Sequence, residues 1–371
     1  MFTRSGNKDI SLYNLKSELE YRSLLKNRKL TRMKYLDKFF QPPGWQESSF
    51  TADDGRKIRY GHAQPTDTPV KGTVVLTTGY ADFIETFHET LHEYLDRGYA
   101  VWIMDWAGQG GSDKQKSSSD KTVEVDDHVR HLRQFRQQIV KADADKPVFM
   151  STHSMGGQIG LHYLHQYPKD FDWAIMAAPL VDFRLRGISR TVLKGTFKSA
   201  VELGLGNQPI RGARKGIQRQ AVAERKRLRS EDPVRMNLHR TFFLMNQQLR
   251  AEDPTVGLLD SLLESASKIN EEKILKAIQA PILLGVAGGD HIVDNKAILR
   301  ASTLLPGATL VEIKDATHGM WFDRQGPRTA WWQAIDSYLQ DRHVQFDRDH
   351  QPIKKPPQAR QSTPNTGKDF C

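Results

Sequence analysis

The amino-acid sequence predicts a mostly parallel α/β sheet with helices on both faces and a helical insertion late in the chain. The first observation is the alternation of short apolar runs with segments of helical period, the pattern of strands buried on both sides and joined by crossover helices. The second is that this alternation stops for about 100 residues after Pro179 and then resumes. The third is composition. The 371 residues are 38% hydrophobic and 26% charged, which suits one large core with an insertion, or two domains.

Taken in order, residues 1–40 read as helical, with Leu12, Leu15 and Leu19 on one face, and QPPGW (41–45) ends the pattern. Two alternating runs around Asp54-Gly55 read as a hairpin. TVVLTTG (73–79) is a buried strand, ETFHETLHEYLDRGY a helix ending near Gly98, and AVWIMDW (100–106) the next strand. A polar loop, AGQGGSDKQKSSSD, leads to a helix over 125–140. VFMSTHS is a strand, 156–167 a helix stopped by Pro168, and WAIMAAPL (173–180) another strand. Residues 181–280 read as helical. PILLGVAGG (281–289), a helix over 295–304, ATLVEIK (308–314) and the helix RTAWWQAIDSYL complete the pattern. The implied organisation is a basic N-terminal arm (1–44), a first core part (45–180), a basic helical cap (181–275), a second core part (276–342) and a tail (343–371). The tail is rich in Gln, Pro and Lys and is predicted to be disordered.

The formal charge of +10 is unevenly spread. Residues 184–229 hold 13 Lys/Arg against 2 Glu, and residues 1–40 hold 10 basic against 4 acidic side chains, so the remaining body is net acidic. Such asymmetry favours an anionic partner surface, membrane or nucleic acid. No aromatic-interleaved basic motif or known module supports nucleic acid, which leaves peripheral contact with an anionic membrane through 184–229 and the arm. No apolar run of about 18 residues and no secretory signal are seen, so the expected location is the cytoplasm, at most peripheral to the inner face of the membrane. The single cysteine, Cys371, excludes an internal disulfide framework and cysteine-held zinc. His88 and His92 lie four apart on a helix, but no third ligand at metal spacing accompanies them, so no metal is expected. The glycines of DWAGQGGS (105–112) do not match a dinucleotide fingerprint, and no cofactor is expected.

One stretch carries chemistry. In STHSMGGQIG (151–160), Ser154 stands at the tip of a strand-to-helix turn among small residues, the layout of a nucleophile elbow, with Thr152 in place of its first glycine. The bland reading is a serine in a small-residue turn. A serine hydroxyl needs a base, and the base an orienting acid. His318 follows the strand TLVEI and is the base candidate. Asp290, just after PILLGVAGG, is the acid candidate, with Asp294 the alternative; Asp294 is also placed to cap the next helix. His153 is set aside, because neighbours in an elbow should point apart. The oxyanion donors expected are the backbone N–H groups of Met155 and of Tyr80 in TTGYADF.

These stretches together resemble the α/β-hydrolase family of monoacylglycerol lipases and bacterial lysophospholipases, the serine-aminopeptidase type. TTGYADFIETF is similar to the family's H-G-x-x-E loop with Thr78 for its histidine, DWAGQGGSD to its D-x-x-G-x-G-x-S loop, and THSMGG to its G-H-S-M-G-G apart from Thr152. GGDHIVDN and DATHGMW are similar to its acid and histidine segments. The resemblance covers roughly 50–180 and 275–340. It implies an α/β-hydrolase fold with a helical cap, a Ser154–Asp290–His318 triad, and an ester hydrolase acting on a lysophospholipid or monoacylglycerol. Two other readings stand beside it. One is a non-catalytic module of the same fold that holds membrane or nucleic acid through its basic cap. The other is an acyltransferase or peptidase with the same triad.

Overall fold

The computed structural model describes residues 36–114, 122–185, 187, 189–213, 215, 216, 219 and 232–349. Eight strands form one sheet: β1 (Gln46–Thr51), β2 (Lys57–Ala63), β3 (Gly72–Thr77), β4 (Tyr99–Met104), β5 (Val148–His153), β6 (Trp173–Ala177), β7 (Ile282–Ala287) and β8 (Ala308–Ile313). Their order is β1-β2-β4-β3-β5-β6-β7-β8. β1 and β2 are the predicted hairpin, registered Gln46↔His62 to Thr51↔Lys57, and β2 lies antiparallel to β4. All pairings from β4 to β8 are parallel.

Every residue of β3, β4, β5, β6 and β7 is buried, as their unbroken apolar runs require of strands covered on both faces. β8 differs. It closes one edge and exposes Thr309, Leu310 and Glu312, and a charged edge discourages further pairing. One face of the sheet packs against helices α1 (His88–Asp96) and α9 (Gln325–Asp349) through Leu91, Tyr94, Trp331 and Ile335. The other is covered by α2 (Val125–Gln134), α3 (Met155–Gln166) and α8 (Asn295–Leu304) through Val129, Leu132, Ile159 and Ile298. Burying each such side chain stabilises the fold by about 1.5–3 kcal/mol.

Among the described residues, four α-helices lie between β6 and β7: α4 (Arg190–Ala200), α5 (Pro233–Met245), α6 (Val256–Ile269) and α7 (Glu272–Ala277). α5 starts cleanly. Asp232 accepts from the N–H groups of Val234 and Arg235, each at 3.0 Å, and Pro233 occupies the first turn, where an N–H has no helical partner. Arg235 of α5, 1% exposed, then reaches down to α1 and donates two 2.7 Å hydrogen bonds to Glu89. Leu238 and Phe242 pack with Phe39 and Phe83 in a third apolar cluster. The predicted histidine pair of α1 serves the same region: a ring nitrogen of His88 donates to Phe39 O at 3.3 Å and one of His92 to Phe40 O at 3.1 Å.

Two boundaries differ from those drawn on the sequence. α9 continues to Asp349, six residues beyond the start assigned to the tail at 343, because His343 still packs between Tyr99 and Trp173. α7 crosses the cap boundary placed at 275. The arm over 1–35, the tail over 350–371 and the dense basic segment over 220–231 lie outside the described residues. Among the described residues, no helix is long and apolar enough to cross a membrane.

Burial disfavours the charged form of Glu89, yet Arg235, Arg328 and Lys38 outweigh it and hold the carboxyl below its usual value of 4.5. A depressed acid stabilises the fold above its unfolded pKa, and that contribution is lost as pH falls through the folded value. Glu89→Gln, which leaves Arg235 with Asp232 as its remaining carboxylate partner, should cost about 1.5–3 kcal/mol in urea unfolding at pH 7. The gap to the parent protein should narrow as pH drops below 4.5. A gap that stayed constant with pH would contradict this account of how α5 is anchored.

Candidate active site

The parallel strands place the loops after β3, β5, β7 and β8 at one end of the sheet, where ligands of open α/β sheets bind. Four chemically distinct residues enter from these loops. Between the last residue of β5, His153, and the first of α3, Met155, the chain turns through Ser154 at φ 51° and ψ −116°. A non-glycine residue held at positive φ costs of order 1–3 kcal/mol, and the surroundings must enforce it. They do so by close approach. A Cβ on Gly156 would lie 2.6 Å from Thr78 O, so only glycine lets α3 press against the end of β3. Ser154 O accepts from the N–H groups of Gly157 and Leu180, each at 2.9 Å.

Ser154 Oγ lies 2.9 Å from His318 Nε2, and His318 Nδ1 lies 2.7 Å from Asp290 Oδ2. The second carboxylate oxygen of Asp290 accepts from the N–H groups of Ile292 at 2.7 Å and Val293 at 3.1 Å. Asp290 is fully buried. Burial opposes its charge, but the imidazole of His318 and the two backbone donors prevail and keep its carboxyl below the ordinary range. Asp294, the alternative acid, points elsewhere and caps α8 by accepting from Lys296 N at 3.0 Å. Such an arrangement can take a proton from the serine hydroxyl as the hydroxyl attacks a carbonyl, and return it to a leaving group.

Tyr80 follows β3, and its phenol donates to Glu252 O at 2.8 Å, tying this loop to the segment before α6. Met155 opens α3, where the first backbone N–H groups have no helical acceptor. Thr78 and Thr152, which depart from the family pattern, are buried beneath the elbow, and Thr78 O accepts from Trp106 Nε1 at 2.8 Å.

Three further residues, Asp82, His153 and His239, join the site only in the folded chain. His153 was expected to point away from Ser154, and its ring does turn below the elbow. There it packs 5.0 Å, centre to centre, from the ring of His318. Its Nδ1 lies 2.9 Å from Asp82 Oδ2, and its Nε2 lies 3.0 Å from the backbone oxygen of His318. The other oxygen of Asp82 accepts from His239 Nε2, on α5, at 2.7 Å. Asp82 lies in TTGYADF and His153 in STHSMGGQIG, so both belong to stretches with a visible pattern. Nothing in the sequence singles out His239. Elsewhere, Asp53, Asp54 and His131 come close enough to suggest a metal group, but Arg130 and Arg56 pair with the two carboxylates.

Residues 68–325 match the family model described as serine aminopeptidase, S33. A probable lysophospholipase L2 of Haemophilus influenzae is 24% identical over 283 residues, covering 76% of this chain and 88% of the relative. A monoacylglycerol lipase of Mycolicibacterium smegmatis is 30% identical over 139 residues, 37% of this chain and 47% of the relative. Among solved structures, a soluble variant of monoglyceride lipase from Saccharomyces cerevisiae, in complex with a substrate analog, superposes with a TM-score of 0.60 at 17% identity, covering 83% of this chain and 96% of that one. The sheet, its helices and these relatives define the class as a serine ester hydrolase of the α/β-hydrolase fold. Within that class, the chain belongs to the serine aminopeptidase S33 family.

A Cβ at Gly79 would meet Asp82 Oδ2 at 2.7 Å, His153 Nδ1 at 2.8 Å and Ser154 Cβ at 3.2 Å. Gly79→Ala should therefore displace the loop that carries Tyr80 and lower kcat/KM on a p-nitrophenyl ester by about 100-fold. Unaltered kinetics in a folded variant would show that the loop tolerates the displacement.

Proposed function

We propose that the protein hydrolyses carboxylic esters of single-acyl-chain lipids, a lysophospholipid or a monoacylglycerol, through Ser154, His318 and Asp290. The observation that carries this reading is the continuous hydrogen-bonded line from Ser154 Oγ through His318 to Asp290, at 2.9 and 2.7 Å. In the proposed reaction, Ser154 Oγ attacks the ester carbonyl as its proton moves to His318 Nε2. Asp290 holds the Nδ1–H and stabilises the imidazolium. The N–H groups of Tyr80 and Met155 receive the oxyanion, a donor of this kind being worth about 100- to 1000-fold in kcat. The alcohol leaves with the proton from Nε2. Water, deprotonated by the same nitrogen, then attacks the acyl carbon, and His318 Nε2 returns that proton to Ser154 Oγ as the carboxylic acid is released.

The substrate class is supported by the names of the relatives and by the surface between β6 and β7. That region exposes Val192, Leu203, Leu244 and Met245, with Leu203 78% and Met245 65% exposed. Apolar side chains in a strongly basic segment suit the surface of an anionic bilayer, where each basic residue contributes about 1 kcal/mol. On this reading the protein works at the inner face of the membrane, and residues 184–229 and the N-terminal arm make the contact.

Ser154→Ala should remove turnover and labelling by a fluorophosphonate while the melting temperature persists; full activity in that variant would end the proposal. Asp290→Asn should lower kcat by about 10,000-fold, by leaving His318 in the wrong tautomer. A panel of lysophospholipids, monoacylglycerols and peptide amides tests the substrate, and preference for an amide would move the reading to a peptidase. Val192→Asp combined with Leu203→Asp should abolish sedimentation with phosphatidylglycerol vesicles and leave hydrolysis of p-nitrophenyl acetate unchanged. Retained sedimentation would place the membrane contact elsewhere.

A further inference from the structure

Asp82 receives four parts of the site. Its Oδ2 accepts from Gly79 N–H at 3.2 Å in the loop after β3, and from His153 Nδ1 at 2.9 Å at the base of the elbow. Its Oδ1 accepts from His239 Nε2 at 2.7 Å on α5. Through the ring of His153 it reaches the loop of the base, because His153 Nε2 lies 3.0 Å from His318 O. Asp82 is 7% exposed and His153 4% exposed, and Phe322 and Phe87 flank the His153 ring at 5.9 and 6.4 Å between ring centres.

The partners of His153 decide its protonation. A neutral imidazole offers one N–H and one lone pair, whereas an imidazolium offers two N–H groups. His318 O is a carbonyl and can only accept; it already accepts from Met320 N–H at 3.0 Å. Asp82 Oδ2 already accepts from Gly79, so its remaining capacity also calls for a donor. Both nitrogens of His153 therefore face acceptors. A neutral ring would set a lone pair against an oxygen in a buried site and leave that carbonyl or carboxylate without its donor. The titratable groups facing the pair are His239 from α5 and His318 from the loop after β8.

We propose that His153 is a positioning residue, held as an imidazolium between Asp82 and the carbonyl of His318, and that this Asp82–His153 pair sets the place of the base by its main chain while the Asp290 carboxylate sets it by its ring. The proposal rests on the reading of Ser154, His318 and Asp290 as the triad. His318 is then gripped at two points, and Asp82 ties that grip to the oxyanion loop and to α5.

Two near-isosteric variants separate the contacts. The amide nitrogen of His153→Gln can stand where Nε2 stands and still donate to His318 O. That of His153→Asn stands where Nδ1 stands and reaches only Asp82. His153→Gln should keep kcat on p-nitrophenyl butyrate within about 10-fold of the parent, and His153→Asn should lose about 100-fold in kcat with KM unchanged, the scale of a misplaced reacting group. Equal kcat in the two variants would overturn the proposal, since a merely structural histidine would not distinguish the ends of its ring. The nitrogen-15 spectrum of the histidine-labelled parent gives an independent readout that needs no folded variant. Both ring nitrogens of His153 should carry a bonded proton, and a single protonated nitrogen would overturn the proposal. If the parent neither turned over ester nor took up a fluorophosphonate, the triad reading would fail, and the spectrum would still decide the state of His153.

Discussion

Ser154 holds a backbone conformation, φ 51° and ψ −116°, that neither a strand nor a helix residue adopts, and the surrounding residues are fitted to keep it there. The conformation is affordable only because β5 and α3 are rigid on either side and Gly79 and Gly156 let backbone pass within contact distance of the turn. Its consequence is that the hydroxyl stands proud of the sheet end, toward the loop that carries His318. Strain at one residue thus places one atom beyond the sheet end, and the cost of order 1–3 kcal/mol is small beside the burial of the sheet's two faces.

Around that atom the structure sets two carboxylate–imidazole pairs, Asp290–His318 and Asp82–His153, at 2.7 and 2.9 Å. Both carboxylates are buried, and burial alone would raise their pKa values; in both, the histidine contacts reverse the direction. The pairs differ in their reach. Asp290 is held by the turn of its own loop, through Ile292 and Val293. Asp82 is held by Gly79 of its own loop and, from other elements, by His153 and His239. A shift in any one of those elements is felt at the same carboxylate.

Helix α5 is fastened at two points, Arg235 to Glu89 and His239 to Asp82, and packs Leu238 and Phe242 on Phe83. The helix belongs to the region between β6 and β7, yet its inner side is part of the site's foundation. Its end near Leu244 and Met245 is exposed. One helix therefore contacts the charged network below and presents apolar side chains above.

Much of this was legible in the sequence because it rests on short-range rules. Unbroken apolar runs such as ILLGVA and the helix-period segments between them report burial directly, and the glycines flanking Ser154 report a crowded turn. Asp294 could be read as a helix cap from its place alone. The sequence by itself determined the strands, their alternation with helices, the elbow, and which loops would hold an acid and an imidazole. The tertiary structure decided the rest: that α9 runs to Asp349, that the ring of His153, turned away from Ser154, lies against His318, and that His239 reaches Asp82. Those contacts join residues 71 to 165 positions apart, and they depend on strand order, register and the seating of α5, which are properties of the whole chain and of no local segment.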